Sequence, residues 1–137
     1  MTALTLAHTA VLGAAFGGAG YAKVSQQDAM VDAAKHLGYS NDEFTLIGTA
    51  ELAGVAGLVV GAKFPLVGAA SSAALATTMG LAVSEHLRAG DEAKVYAAPA
   101  VLGVLSATAT LSFLAAARKK RKEKKEAKQA KKAAKKS

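Results

Sequence analysis

Four stretches of this chain carry almost no charge, and their lengths restrict the fold more than any other feature. Met1–Ala22, Phe64–Ser84 and Val95–Ala117 contain no Lys, Arg, Asp or Glu, and Phe44–Ala62 contains only Glu51. The runs are 22, 21, 23 and 19 residues long, and a helix needs about 20 apolar residues to cross the ~30 Å hydrocarbon layer. A soluble amphipathic helix would place a charge on its wet face every turn or so, and these runs have none to place. The mean hydropathy of only +0.25 reflects dilution by Ala, Gly and a basic C-terminal segment. The sequence therefore predicts an all-α membrane protein: an antiparallel bundle of four transmembrane helices with spans at about 2–22, 43–62, 64–84 and 95–117. Met1–Ala22 lacks the basic n-region of a signal peptide and is long for its apolar core, so it reads as an uncleaved first span.

Charge is distributed unevenly enough to orient the bundle. Residues 118–137 hold 12 of the 17 basic residues and 2 of the 10 acids, a net +10, while residues 1–117 come to −3. The positive-inside rule places that tail in the cytoplasm, and four spans return the N-terminus to the same side. The loops 23–43 and 85–94 then face outward and the turn at Lys63 inward. The Ala- and Gly-rich composition suits a bacterial plasma (inner) membrane. Residues 1–117 are expected to form the transmembrane domain and 118–137 a basic cytoplasmic tail. The tail is expected to be a solvated stop-transfer flank that fixes topology, the alternative being a segment drawn to anionic lipid. It has no aromatic residue on which a base could stack, so nucleic acid is not an expected partner.

Local signals place the connections. Ser25 as N-cap, Met30, Ala34 and Leu37 at helical spacing, and Gly38 as terminator predict a short outer surface helix. Ser40 and Glu43 stand in capping-box spacing at the entry to span two. Pro65 and Pro99 fall near span starts, where a missing N–H costs little. The absence of cysteine excludes disulfides, thiol chemistry and Cys metal sites.

Glu51 is the feature that the membrane reading makes costly. An ionised carboxylate at mid-helix costs about 2.5 to 3.5 kcal/mol even on lenient insertion scales, so it must face the bundle interior and find a partner, or take up a proton. Gly48, Gly54, Gly57 and Gly61 run near its face, and Gly13, Gly17 and Gly20 form a stripe on span one. The two spans are expected to pack closely along these small residues. Glu51 is expected about 12 Å below the outer entry of span two. Lys23 ends span one on that outer side, where its long side chain can turn inward, and span three reaches the same side with Glu85, His86 and Arg88. The candidate binding residues are thus Lys23, Glu51, Glu85 and His86, with the Lys23–Glu51 contact as their centre. The alternative is that Lys23, Glu85 and Arg88 are interfacial anchors and Glu51 is satisfied by a Thr or backbone group. His8 lies about 20 Å away along span one and is expected to make an interhelical hydrogen bond.

In three segments the chain resembles the DoxX-like family of small four-span membrane proteins: "GGAGYAK" closing span one, "LGYSNDEFTLIGTAELAGVAGLVVG" through span two, and "TTMGLAVSEHLRAGD" closing span three. The resemblance covers about residues 8 to 115. It puts Lys23, Glu51 and His86 on the family's recurrent polar positions, and it implies association with quinone-linked oxidoreductases, oxidative-stress complexes or membrane-protein assembly. The chain shows no haem-ligand pair and no nucleotide loop. The leading expectation is a non-catalytic membrane subunit or assembly factor that holds a lipid, a quinone or a partner helix near Glu51, with other membrane subunits or a second copy as partners. Two alternatives stand beside it. One is a proton-coupled small-molecule transporter using Glu51; the other is an enzyme using Glu85 and His86, although adjacent helical residues point about 100° apart.

Overall fold

The computed structural model describes residues 1–136, and Ser137, the last residue of the expected tail, lies outside them. Five helices follow one another: α1 (Ala3–Val24), α2 (Asp28–Leu37), α3 (Asn41–Gly61), α4 (Pro65–Arg88) and α5 (Ala93–Ala134). Among the described residues there is no strand. α1, α3, α4 and the first half of α5 are each long and apolar enough to cross a membrane. They close into a four-helix ring in which α4 packs most extensively on α5 and α1 on α3, with further contacts of α3 with α4 and of α1 with α5.

Helix ends follow from the local chemistry. Ser40 accepts from the Glu43 N–H while the Glu43 carboxylate accepts from the Ser40 N–H, so the capping box starts α3 as expected. Gly38 takes a left-handed φ of 80° to end α2, and Gly90 does the same at 78° after α4. Ser25 behaves differently from its expected N-cap role. Its hydroxyl donates to the carbonyls of Tyr21 and Ala22, finishing α1, and Gln27 occupies the N-cap of α2 without a side-chain hydrogen bond. Pro99 also differs: α5 begins at Ala93, so Pro99 lies inside the helix and deletes the hydrogen bond that Val95 would otherwise receive.

The two glycine stripes make fewer mutual contacts than expected. A Cβ on Gly20 would lie 2.8 Å from the Gly48 carbonyl, and one on Gly48 would lie 2.6 Å from Lys23 Cβ, so α1 and α3 touch closely there. Gly17 has open space around it and Gly13 meets only Val55 at 3.9 Å. Each three-residue step falls about 60° short of a full turn, so Gly54, Gly57 and Gly61 swing away from α1. Their close neighbours are Leu75, Ser71 and Gly68 on α4.

Leu12, Phe16, Leu58, Leu75, Met79, Ala109 and Phe113 form the buried core, while large apolar side chains such as Leu46, Val59, Leu66, Leu81, Val104 and Leu111 are exposed on the outside of the bundle. Apolar residues facing outward are what a lipid solvent requires. α5 continues past Ala117 without a break in the backbone and reaches Ala134, 42 residues in all. That is about 63 Å at 1.5 Å per residue, roughly twice the hydrocarbon thickness, so its basic second half projects beyond the bundle.

Candidate functional site

Lys23 lies in the last turn of α1, where a cation complements the helix dipole, and Glu51 sits in the middle of α3. The close Gly20–Gly48 crossing brings the two helices near enough for their side chains to meet. Lys23 Nζ donates to both carboxylate oxygens of Glu51, at 2.9 and 3.2 Å. Glu51 is 1% exposed and Lys23 13%, so the pair is withdrawn from solvent and each charge depends on the other. Nζ also lies 5.6 Å from the centre of the Phe44 ring, within cation–π range.

The pair forms part of the wall of a cavity of about 440 Å³ lined by all five helices. Phe16 comes from α1, Phe44 and Ile47 from α3, Met79 and Ala82 from α4, and Pro99 and Leu102 from α5. Met30, Ala33 and Leu37, on one face of α2, close one end. Glu85 and His86 also line the cavity, so all four sequence-identified residues reach one space. They do not form one hydrogen-bonded cluster. Glu85 pairs with Arg88 one turn along α4, and His86 Nδ1 donates to Asp91 at 2.6 Å. Glu85 and His86 therefore have separate partners and share no acid–base contact.

The sequence reading missed two members of this network. Asp91 lies in the α4–α5 connection and also accepts from His36 Nε2, at 2.8 and 3.0 Å. One carboxylate thus ties the end of α2 to the end of α4. Hydrogen bonding from His86 above all, aided by His36 and opposed by burial, holds the Asp91 carboxyl below the ordinary carboxylate value. The signal was the turn at Gly90, which folds the residue five positions after His86 back onto it. The His36 contact spans 55 positions, which no local pattern can show.

His8 does make an interhelical contact: its Nε2 lies 2.9 Å from Thr108 Oγ1 on α5, and its Nδ1 donates to the Leu4 carbonyl at 2.8 Å. It does not line the cavity. No group of three or more His, Asp or Glu side chains suited to a metal ion occurs among the described residues.

The cavity is therefore an apolar chamber with an ion pair set in its wall. An ammonium carries three protons, and Glu51 takes two of those on Lys23, leaving one for another acceptor. The Glu51 oxygens keep spare lone pairs. A ligand with an apolar body and a small polar group that accepts or donates hydrogen bonds matches this arrangement.

Among known proteins, the model of a family described as DoxX-like matches residues 7–109. No curated protein and no solved structure matches the chain.

Proposed function

The chain belongs to the DoxX-like family and is a small multi-pass membrane protein, and from that premise we propose that it is a non-catalytic subunit or assembly factor of a membrane complex. Its chamber holds the polar end of a lipid or quinone-like molecule against Lys23 and Glu51. The observation that carries this reading is the solvent-shielded Lys23–Glu51 pair opening onto an apolar cavity to which every helix contributes. Keeping an ion pair in a membrane interior costs more than packing hydrocarbon there, and recognition of a polar group offsets that cost. Glu85 and His86 line the same cavity. α2 acts as the cover, with its apolar face inward and its end tied down through His36 and Asp91.

The basic extension of α5 and Lys63 sit at one end of the bundle, which the positive-inside rule assigns to the cytoplasm. The α2 end then faces outward in a bacterial inner membrane. Glu51 is ion-paired with Lys23, whereas a proton-coupled transporter needs a carboxylate free to exchange its proton for a cation. That favours the binding role over transport.

The test is purification from the native membrane in mild detergent, with mass spectrometry of co-purifying proteins, lipids and quinones. A stoichiometric partner or amphiphile that is lost in Glu51→Gln, with the protein still folded, is the expected result. A bare chain in both forms would overturn the reading, and cation flux in liposomes that Glu51→Gln abolishes would replace it with transport.

A further inference from the structure

The opposite end of the bundle carries a second cavity, of about 320 Å³, built from the start of α1, the α3–α4 turn and the stretch of α5 where its charge begins. Its lining is chemically unlike that of the first. Thr2, Thr5, Lys119 and Lys120 supply polar groups, Phe113 gives an apolar floor, and Glu123 is the single acid. Arg118 is the first charged residue after the apolar run of α5, so this cavity lies at headgroup depth.

Three features fix its shape and sign. The floor is rigid: a Cβ on Gly68 would lie 2.4 Å from the Phe113 ring, and Phe113 is fully buried. The cations are held in place: Lys120 Nζ donates to the Lys63 carbonyl at 2.7 Å, and Lys63 and Lys120 both lie within 6 Å of the centre of the Phe64 ring. Lys119 has no partner among the described residues, leaving its ammonium for a ligand. α1 and α4 begin at this end and α3 ends there at Gly61, so two N-terminal dipoles outweigh one opposing C-terminal dipole, whose Lys63 carbonyl is already capped by Lys120. Outside the cavity, Leu4 and Leu66 are 62% and 64% exposed and offer an apolar surface on which acyl chains can lie.

We propose that this cavity binds a phosphate group, as the headgroup of an anionic phospholipid or as a free phosphate, with Lys119 as the main contact, Lys120 and Lys63 as flanking charges and, since the Thr2 and Thr5 hydroxyls bond to each other at 2.7 Å, one of that pair as a further donor. The site is separate from the Lys23–Glu51 chamber and does not depend on its ligand. It differs from a diffuse attraction to the basic helix in requiring two particular lysines and the space beside them.

Full-length protein, reconstituted in phosphatidylcholine bilayers doped with phosphatidylglycerol and released for native mass spectrometry, is expected to keep phosphatidylglycerol in excess of its bulk fraction. Lys119→Gln with Lys120→Gln should lower that enrichment about fivefold for each lysine removed. Lys131→Gln with Lys132→Gln, the same charge change farther along α5, should leave it unchanged. Ala116→Leu, which narrows the cavity without altering charge, should reduce it as well. Competition with inorganic phosphate distinguishes the sources: displacement identifies a site for phosphate alone, and persistence identifies a lipid held also by its chains. Equal loss in the two double variants, or retention in both the Lys119/Lys120 variant and Ala116→Leu, would overturn the proposal. Circular dichroism of each variant separates loss of the site from loss of the fold.

Discussion

Lys23 Nζ lies 2.9 Å from one Glu51 oxygen and 3.2 Å from the other, and this forked contact joins α1 to α3 across the bundle. Removing one partner leaves the other charged, enclosed and unmatched, a change that costs about 3 to 5 kcal/mol in comparable buried pairs. Lys23→Met or Glu51→Leu alone should therefore lower the thermal unfolding midpoint in detergent markedly. The double variant should recover most of that loss, because two apolar side chains of similar volume suit the interior as well as the pair does. It should still fail to retain the ligand. A double variant no more stable than the weaker single one would show that the pair is not an isolated couple.

Close approach of α1 and α3 at Gly48 is what allows the pair to form. A methyl group there would meet Lys23 Cβ at 2.6 Å and the Gly20 carbonyl at 2.8 Å, so Gly48→Ala should push the helices apart, at a cost of about 1 to 3 kcal/mol, and weaken ligand retention too. Gly17→Ala meets nothing within 4 Å and should stabilise α1 by up to about 1 kcal/mol through helix propensity. Unfolding in mixed detergent micelles would rank the two, and equal effects would contradict the packing at the crossing.

These contrasts also show how much the sequence could reveal. The four spans are legible because a charge-free run of about 20 residues has few fates besides the membrane. The Lys23–Glu51 contact is legible because a lone carboxylate in such a run needs a partner and Lys23, ending the neighbouring span on the same side, has a side chain long enough to turn inward. The division of the remaining polar residues is not. Glu85, His86 and Arg88 share one helix turn, and which of them faces the cavity or turns to Asp91 depends on how far α4 is rotated in the bundle. Neither glycine stripe revealed that the second winds from α1 toward α4. α2 was readable as a surface helix, but its tether to the end of α4 requires knowing that Asp91 lies within hydrogen-bond reach of His36.

Acid should loosen that tether. Asp91 sits among His36 from α2, His86 from α4 and the nearby pairs Glu85–Arg88 and Glu92–Lys94, and hydrogen bonds led by that from His86 depress its folded pKa. A depressed carboxyl stabilises the fold fully above its unfolded value, about 3.9, and the contribution fades as pH falls through the lower folded value. Unfolding midpoints recorded between about pH 3 and 6 should fall on the acid side in the parent chain and less steeply in Asp91→Asn. Parallel acid limbs in the two proteins would remove Asp91 from the account.

If α2 covers the chamber, weakening its tether should open the chamber to water-soluble reagents. α2 contributes a single buried residue, Ala34, so little apolar burial holds it down and the His36–Asp91 contact matters correspondingly more. The chain has no native cysteine, which makes Ala82→Cys, on the cavity wall, a clean reporter. His36 is half exposed, and a solvent-screened pair of that kind is worth at most about 1 kcal/mol. His36→Ala should therefore speed maleimide labelling of Cys at position 82 by no more than about fivefold, while Asp91→Asn, which disturbs the contacts to both histidines, should speed it further. A reporter on the wet face of α2, Lys35→Cys, should label at one rate throughout. Unchanged labelling at position 82 in both variants would show that α2 does not cover the chamber.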